Sequence, residues 1–141
     1  MKKFTDEYAI VANSAMSGLL DDGSRTTNWF SMKNRNKAAF LIQVGVTDTT
    51  VDAAVYQSAD STGGSPQALS GFAITQVAAD EDNRNYIINV DASDLSSGYE
   101  YIACTITAGD GTNGANVACI AVADSRYKAT DGDLAAVTEI I

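Results

Sequence analysis

Lys37-Ala38-Ala39-Phe40-Leu41-Ile42-Gln43-Val44-Gly45-Val46-Thr47 is the stretch that decides the fold class. Phe40, Ile42, Val44 and Val46 recur at every second position. An extended chain therefore puts them on one face and Leu41, Gln43 and Gly45 on the other. Aromatic and β-branched side chains suit a pleated surface, and no proline interrupts the run. The same alternation returns in both directions. Val51, Ala53 and Val55 alternate with Asp52, Ala54 and Tyr56, and Tyr86, Ile88 and Val90 repeat the pattern. Residues 99–108 and 116–123 close the series, and 26–32 and 71–77 are weaker strand candidates. Between these runs lie Asp21-Asp22-Gly23-Ser24, the 61–66 stretch with the single proline Pro66, Asp80-Glu81-Asp82-Asn83, Ser96-Ser97-Gly98 and Asp110-Gly111-Thr112-Asn113-Gly114. Such residues tolerate left-handed backbone or bond their own main chain, so these are turns. Seven to eight strands without βα alternation predict an all-β chain, an antiparallel sandwich or barrel.

The ends differ from the middle. Ala9, Ala12, Met16, Leu19 and Leu20 follow helical spacing, as do Leu134, Val137 and Ile141. Both segments read as short helices or as extended arms that order against a neighbour. In between, a loop centred on Gly111 and Thr112 predicts a hairpin in which Cys104 lies opposite Cys119. Both faces of that hairpin are apolar, so it is expected to be central and covered on both sides, its two thiols facing each other unpaired.

Composition narrows the function. The 141 residues suffice for one core, and the net charge is −9 from 9 basic and 18 acidic residues. A chain of that sign repels nucleic acid and anionic membranes. Histidine is absent, which removes the usual general base and the commonest metal ligand. Two cysteines do not make a zinc site or a disulfide scaffold. Thr5, Asp6 and Glu7 interrupt the start where a signal peptide would be apolar, which points to a cytoplasm-like setting. The acidic turns have calcium-ligand residue types without EF-hand spacing and read as solvated turns. Neither Gly63-Gly64 nor Gly109-Asp110-Gly111 continues as a phosphate loop, and nothing resembles a nucleophile elbow. The expectation is a protein that is no enzyme and has no cofactor or metal.

Trp29, the single tryptophan, fits a core anchor or an interface anchor. Lys33, Arg35 and Lys37 place three of the nine basic residues in a five-residue stretch, which suits a turn or an acidic neighbour.

Three segments carry a resemblance. Asn28-Trp29-Phe30-Ser31 with Lys33-Asn34 and the 37–45 strand, then Asp94-Leu95-Ser96-Ser97-Gly98-Tyr99-Glu100-Tyr101-Ile102, then Asp124-Ser125-Arg126-Tyr127-Lys128-Ala129 resemble small virion proteins of tailed bacteriophages. The resemblance spans residues 26–129, leaving 1–25 as an N-terminal arm and 130–141 as a C-terminal tail. It implies a β-sandwich or jelly-roll-like domain in the virion, assembled in the host cytoplasm. A capsid decoration or cement protein of this kind would bind the major capsid protein and further copies of itself. The arms supply candidate contacts at Tyr8, Val11, Met16, Leu19, Leu20, Leu134, Val137 and Ile141, and the second candidate is Trp29 with Lys33, Arg35 and Lys37. Alternatives are a head-tail or tail position, or a carbohydrate-binding sandwich. The latter needs Tyr56, Tyr86, Tyr99 and Tyr101 to cluster outward. An enzyme would need a perturbed carboxylate pair in a pocket.

Overall fold

The computed structural model describes residues 4–14, 18–124 and 139. One helical turn, α1 (Phe4–Glu7), precedes nine strands: β1 (Tyr8–Asn13), β2 (Gly23–Thr26), β3 (Phe30–Ser31), β4 (Lys37–Thr47), β5 (Val51–Ser58), β6 (Gln67–Ala73), β7 (Arg84–Asp91), β8 (Tyr101–Ala108) and β9 (Ala115–Asp124). They form two antiparallel sheets, one ordered β1-β9-β4-β7 and the other β2-β8-β5-β6, with β3 also paired to β8. The chain changes sheet at every connection except β2–β3 and β5–β6, which is jelly-roll winding of a β-sandwich.

The inner faces follow from alternation. Phe40, Ile42 and Val44 of β4 are at most 1% exposed, and Val51, Ala53 and Val55 of β5 at most 2%. Phe30 of β3 meets Phe40 across the interior with ring centroids 5.8 Å apart. Ile88, Val90, Ile102 and Ile106 complete the layer. All five turn clusters fall outside or at the first residues of strands, and positive φ angles occur in each, at Asp22, Gly63, Ser65, Asp80, Asn83, Gly98 and Gly114.

Four expectations about single segments are corrected. Residues 9–13 form a strand and not a helix: β1 pairs with β9, and the register slips between Ile10 and Ala12. Val11 is the extra residue of a bulge, so Ala9 and Ala12, three apart, both face the core at 0% exposure. A bulged strand thus imitates helical spacing. Val46 does not join the inner row. A second register shift after Val44 turns it outward to 65% exposure, and Thr47 takes the buried place. The 26–32 candidate is split. Thr27 breaks the ladder, its amide donating to the Cys104 carbonyl and its hydroxyl accepting from the Cys104 amide. Of the 71–77 candidate only residues up to Ala73 lie in β6, while Val77 makes an isolated bridge to Val51.

The largest correction concerns β8 and β9, which are not a hairpin. β8 pairs with β5 and β2, and β9 pairs with β4 and β1, in opposite sheets. Residues 109–114 arch over the end of the sandwich. Cover on both sides is incomplete: Thr107 of β8 and Ile120 of β9 point to solvent, while Ala103 on the outer face of β8 is buried. Two strands apolar on one face gain more by facing each other across the interior than by lying side by side. The cysteines still meet. Both thiols are free and buried, and the hydrogen bond with Cys119, reinforced by burial, pushes the Cys104 thiol far up. The predicted C-terminal helix, with Leu134, Val137 and Ile141, lies outside the described residues.

Phe40 is the test of this core. Phe40→Ala removes a side chain with no exposed surface that contacts Phe30. It is expected to cost about 3–5 kcal/mol in urea unfolding, whereas Val46→Thr at the outward bulge is expected to stay within about 0.5 kcal/mol.

Candidate functional site

The outer face of the β1-β9-β4-β7 sheet carries an aliphatic row. Register places Leu41 of β4 directly opposite Ile87 of β7 on one side and Ile120 of β9 on the other. The three are 43%, 62% and 45% exposed. They are neighbours because the inner row of β4 faces the core, which forces Leu41 outward together with its partners at the same level. Ala39 faces Val122 one step along, and Val122 faces Ile10 of β1. On the other side Gln43 lies between Asn85 and Ala118. A shallow depression of about 330 Å³ follows the row, lined by Leu41, Gln43, Asn85, Ile87, Ala118 and Ile120. Among the described residues no carboxylate or basic side chain lines it.

Charge gathers at one end of this face, where a second depression is lined by Tyr8, Lys37, Asn89, Asp91 and Asp124. Asp124 is its organiser. Its carboxylate accepts from the amides of Asn36 and Lys37 and from the Asn36 side chain, at 2.8 to 2.9 Å. Partial burial opposes ionisation, but these bonds and the Lys37 ammonium outweigh it and hold the carboxyl below its usual range. Arg35 donates to the Asp124 and Ser31 carbonyls, so the basic stretch is tied to the end of β9.

Of the residues expected at an interface, Tyr8 and Lys37 border this face. Tyr8 is half-buried and stacked on Phe4. Val11 is the half-buried bulge residue packed on the core. Leu19 is exposed, away from the row, beside Gly18, Arg25 and Asn116. Leu20 is corrected to a core position, 7% exposed and paired to Ala115 through both backbone bonds. Lys33 is an exposed turn residue. Trp29 is half-buried, with Gly63 flat against its indole, where a Cβ would collide. Met16 lies outside the described residues.

The tyrosines divide. Tyr56 and Tyr101 share the outer face of the second sheet, set diagonally because Tyr56 pairs with Ala103 and Tyr101 with Ser58. Tyr86 packs against the core and Tyr99 sits in a turn, so the four do not form one cluster. Among the described residues no three carboxylates or thiols come together as metal ligands would. The acidic turns use their carboxylates on the backbone: Asp82 accepts from the Thr47 amide and Glu81 from the Ala78 amide. Asp48 holds the 109–114 arch through the Asn113 and Gly114 amides, and Asp60 holds its own loop through Gly64 and Thr62. Those bonds lower both carboxyls.

No protein-family model matches the chain, and no curated protein sequence matches it. Solved structures with a similar arrangement include one described as "CBM4 structure and function", at 11% identity over 86% of this chain and 88% of that one, with a TM-score of 0.46. The N-terminal cellulose-binding domain of Cellulomonas fimi β-1,4-glucanase C aligns at 15% identity over 83% of this chain and 77% of that one, with a TM-score of 0.42. A family two carbohydrate esterase from Cellvibrio japonicus aligns at 7% identity over 88% of this chain but only 32% of that one, with a TM-score of 0.39. Likeness at this level assigns no ligand to the present chain.

The clamping carboxylates set an acid limit. Asp48, Asp60 and Asp124 have folded-state pKa values below their unfolded ones. Their contribution is complete above the unfolded value of about 3.9 and is lost as pH falls through the folded values. Urea midpoints are expected to be level near neutrality and to fall below about pH 4. Asp124→Asn should lower the neutral midpoint and flatten the acid limb.

Proposed function

We propose that this chain is a non-enzymatic structural protein of a phage particle, a capsid decoration or cement protein that lays the outer face of its first sheet on a neighbouring protein subunit. The observation that carries the reading is the Ile87–Leu41–Ile120 row. An aliphatic strip at one level of three strands, flanked by Asn85 and Gln43 on one side and by Asn89, Ala39 and Val122 on the other, has the composition of an interface core rather than of a solvated sheet face. Asp91, Lys37 and Asp124 stand at its rim, where charge sets orientation more than affinity. The resemblance of residues 26–129 to small virion proteins supplies the identity of the partner, the major capsid protein. A contact repeated over a lattice holds each copy more firmly than one site would, and a copy that spans two subunits opposes their separation.

The measurement is occupancy on purified particles. Leu41→Gln keeps the fold, because Leu41 faces solvent, and is expected to lower apparent affinity about ten- to a hundredfold, the effect of losing one buried aliphatic contact. Full occupancy of that variant would remove the row from the contact, and absence of the wild-type chain from particles would remove the virion role.

A second reading rests on Tyr56 and Tyr101. Two half-exposed aromatic rings on the outer face of the other sheet fit stacking against sugar rings, and two of the structural neighbours above are described as a cellulose-binding domain and a carbohydrate esterase. In that case migration through a polysaccharide-containing native gel is retarded, and Tyr56→Ala restores it while Leu41→Gln does not.

A further inference from the structure

We propose that β7 is a homotypic edge: two copies of this chain pair β7 with β7 in antiparallel fashion and join their first sheets into one continuous sheet. Among the described residues the edge strands are β1 and β7 of the first sheet and β2, β3 and β6 of the second, and all but β7 are bulged or short, β3 having two residues. β1 carries the Val11 bulge, β2 is four residues long, and the β5–β6 register jumps between Ala54 and Tyr56. β7 is the long edge strand that keeps an unbroken register, pairing with β4 from Arg84 to Asp91. An edge strand leaves alternate amides and carbonyls without a sheet partner, and proteins ordinarily blunt such an edge with a bulge, a lysine or a proline. β7 has none of these. An open cleft separates it from residues 71–75 of the other sheet.

The side chains are self-complementary about Ile87. The outward residues read Asn85, Ile87, Asn89, the same in both directions. A two-fold axis perpendicular to the sheet at Ile87 sets Ile87 against Ile87 of the second copy and Asn85 against Asn89, while Tyr86 meets Ile88 on the inner face. Side chains of one kind then lie opposite each other on both faces, the unit of stabilisation in a sheet. The antiparallel sense also brings the Arg84 end of one strand beside the Asp91 end of the other, whereas a parallel pairing would juxtapose like charges. The aliphatic row runs out to this edge, so pairing makes it continuous across both copies, from Ile120 through Leu41 and Ile87 to the same residues of the partner. The pairing does not depend on what the outer face docks on. A net charge of −9 on each copy opposes it, so salt should strengthen the dimer by screening.

Sedimentation of the full chain over a concentration series should show a monomer–dimer equilibrium that shifts toward dimer with added salt. Ile87→Lys puts two ammonium groups on the axis and is expected to be monomeric with an unchanged circular dichroism spectrum. Leu41→Gln, one strand inward, should dimerise as the wild type does. Single-cysteine additions fix the register independently. Under mild oxidation Ile87→Cys should crosslink to itself. Asn85→Cys and Asn89→Cys should each fail alone but crosslink when mixed. The wild type, whose two thiols are buried, should not crosslink. A chain that stays monomeric at every concentration, an Ile87→Cys variant that forms no dimer, or an Asn85→Cys variant that crosslinks to itself overturns the proposal.

Discussion

The inner row of β4 sits between two obligations. Its backbone serves β9 on one side and β7 on the other, and its Phe40, Ile42 and Val44 side chains must be hidden from water. Hydrogen bonding in the plane makes the first sheet, but a single sheet leaves that row exposed. Burial requires a second sheet whose own inner row, Val51, Ala53, Val55, Ile102 and Ile106, has the same need. The hydrophobic term is thus what sets the two sheets face to face, and the backbone ladders fix the order of strands within each. The winding follows, because a chain that must fill both layers with short connections alternates between them.

Changing sheet repeatedly exposes main-chain groups at the corners, and the chain answers with small polar side chains. Ser14 accepts from the Cys119 amide and Thr27 from the Cys104 amide, each where an edge strand leaves its ladder. Gln57, buried at 3% exposure, exchanges hydrogen bonds with Ser96 and pins the turn before β8. Asp48 does the same for the arch before β9. Gly114 is needed there because its φ is positive and the Leu20 carbonyl lies where a Cβ would be. Among the described residues no buried side-chain nitrogen or oxygen lacks a partner. The acidic excess is therefore partly structural: the turn carboxylates substitute for backbone partners that the strands cannot supply.

Strands β4, β5, β7, β8 and β9 were legible because period-two alternation survives in each. β1 was not, since one bulge residue converts a spacing of two into a spacing of three, which is also the spacing of a helix face. Partner choice was not legible either. Alternation states that residues 102–106 and 117–121 each have an apolar face but not whether those faces meet edge to edge or across a core. The aliphatic row escaped notice for a related reason. Leu41, Ile87 and Ile120 are far apart in sequence, and each looks like part of a strand covered on both sides. The available signal was their phase: in all three strands a large aliphatic residue sits out of step with the inner row. The arms were read as the adhesive part, yet Leu20 belongs to the core and Ala9 and Ala12 make β1 an integral strand.

Single exposed aliphatic side chains are ordinary on protein surfaces, so Val46 on its bulge or Leu19 in its loop requires no account. The row differs because register aligns it. Leu41 cannot turn inward without moving Phe40 and Ile42 outward, and Ile87 and Ile120 are fixed by the same ladders. The strands that hold the most deeply buried side chains therefore hold exposed aliphatic ones at their backs. A surface built on that layer has almost no backbone entropy left to lose when something binds, unlike a contact made by an arm that must order first. The docking face proposed on the sheet itself inherits its rigidity from the core.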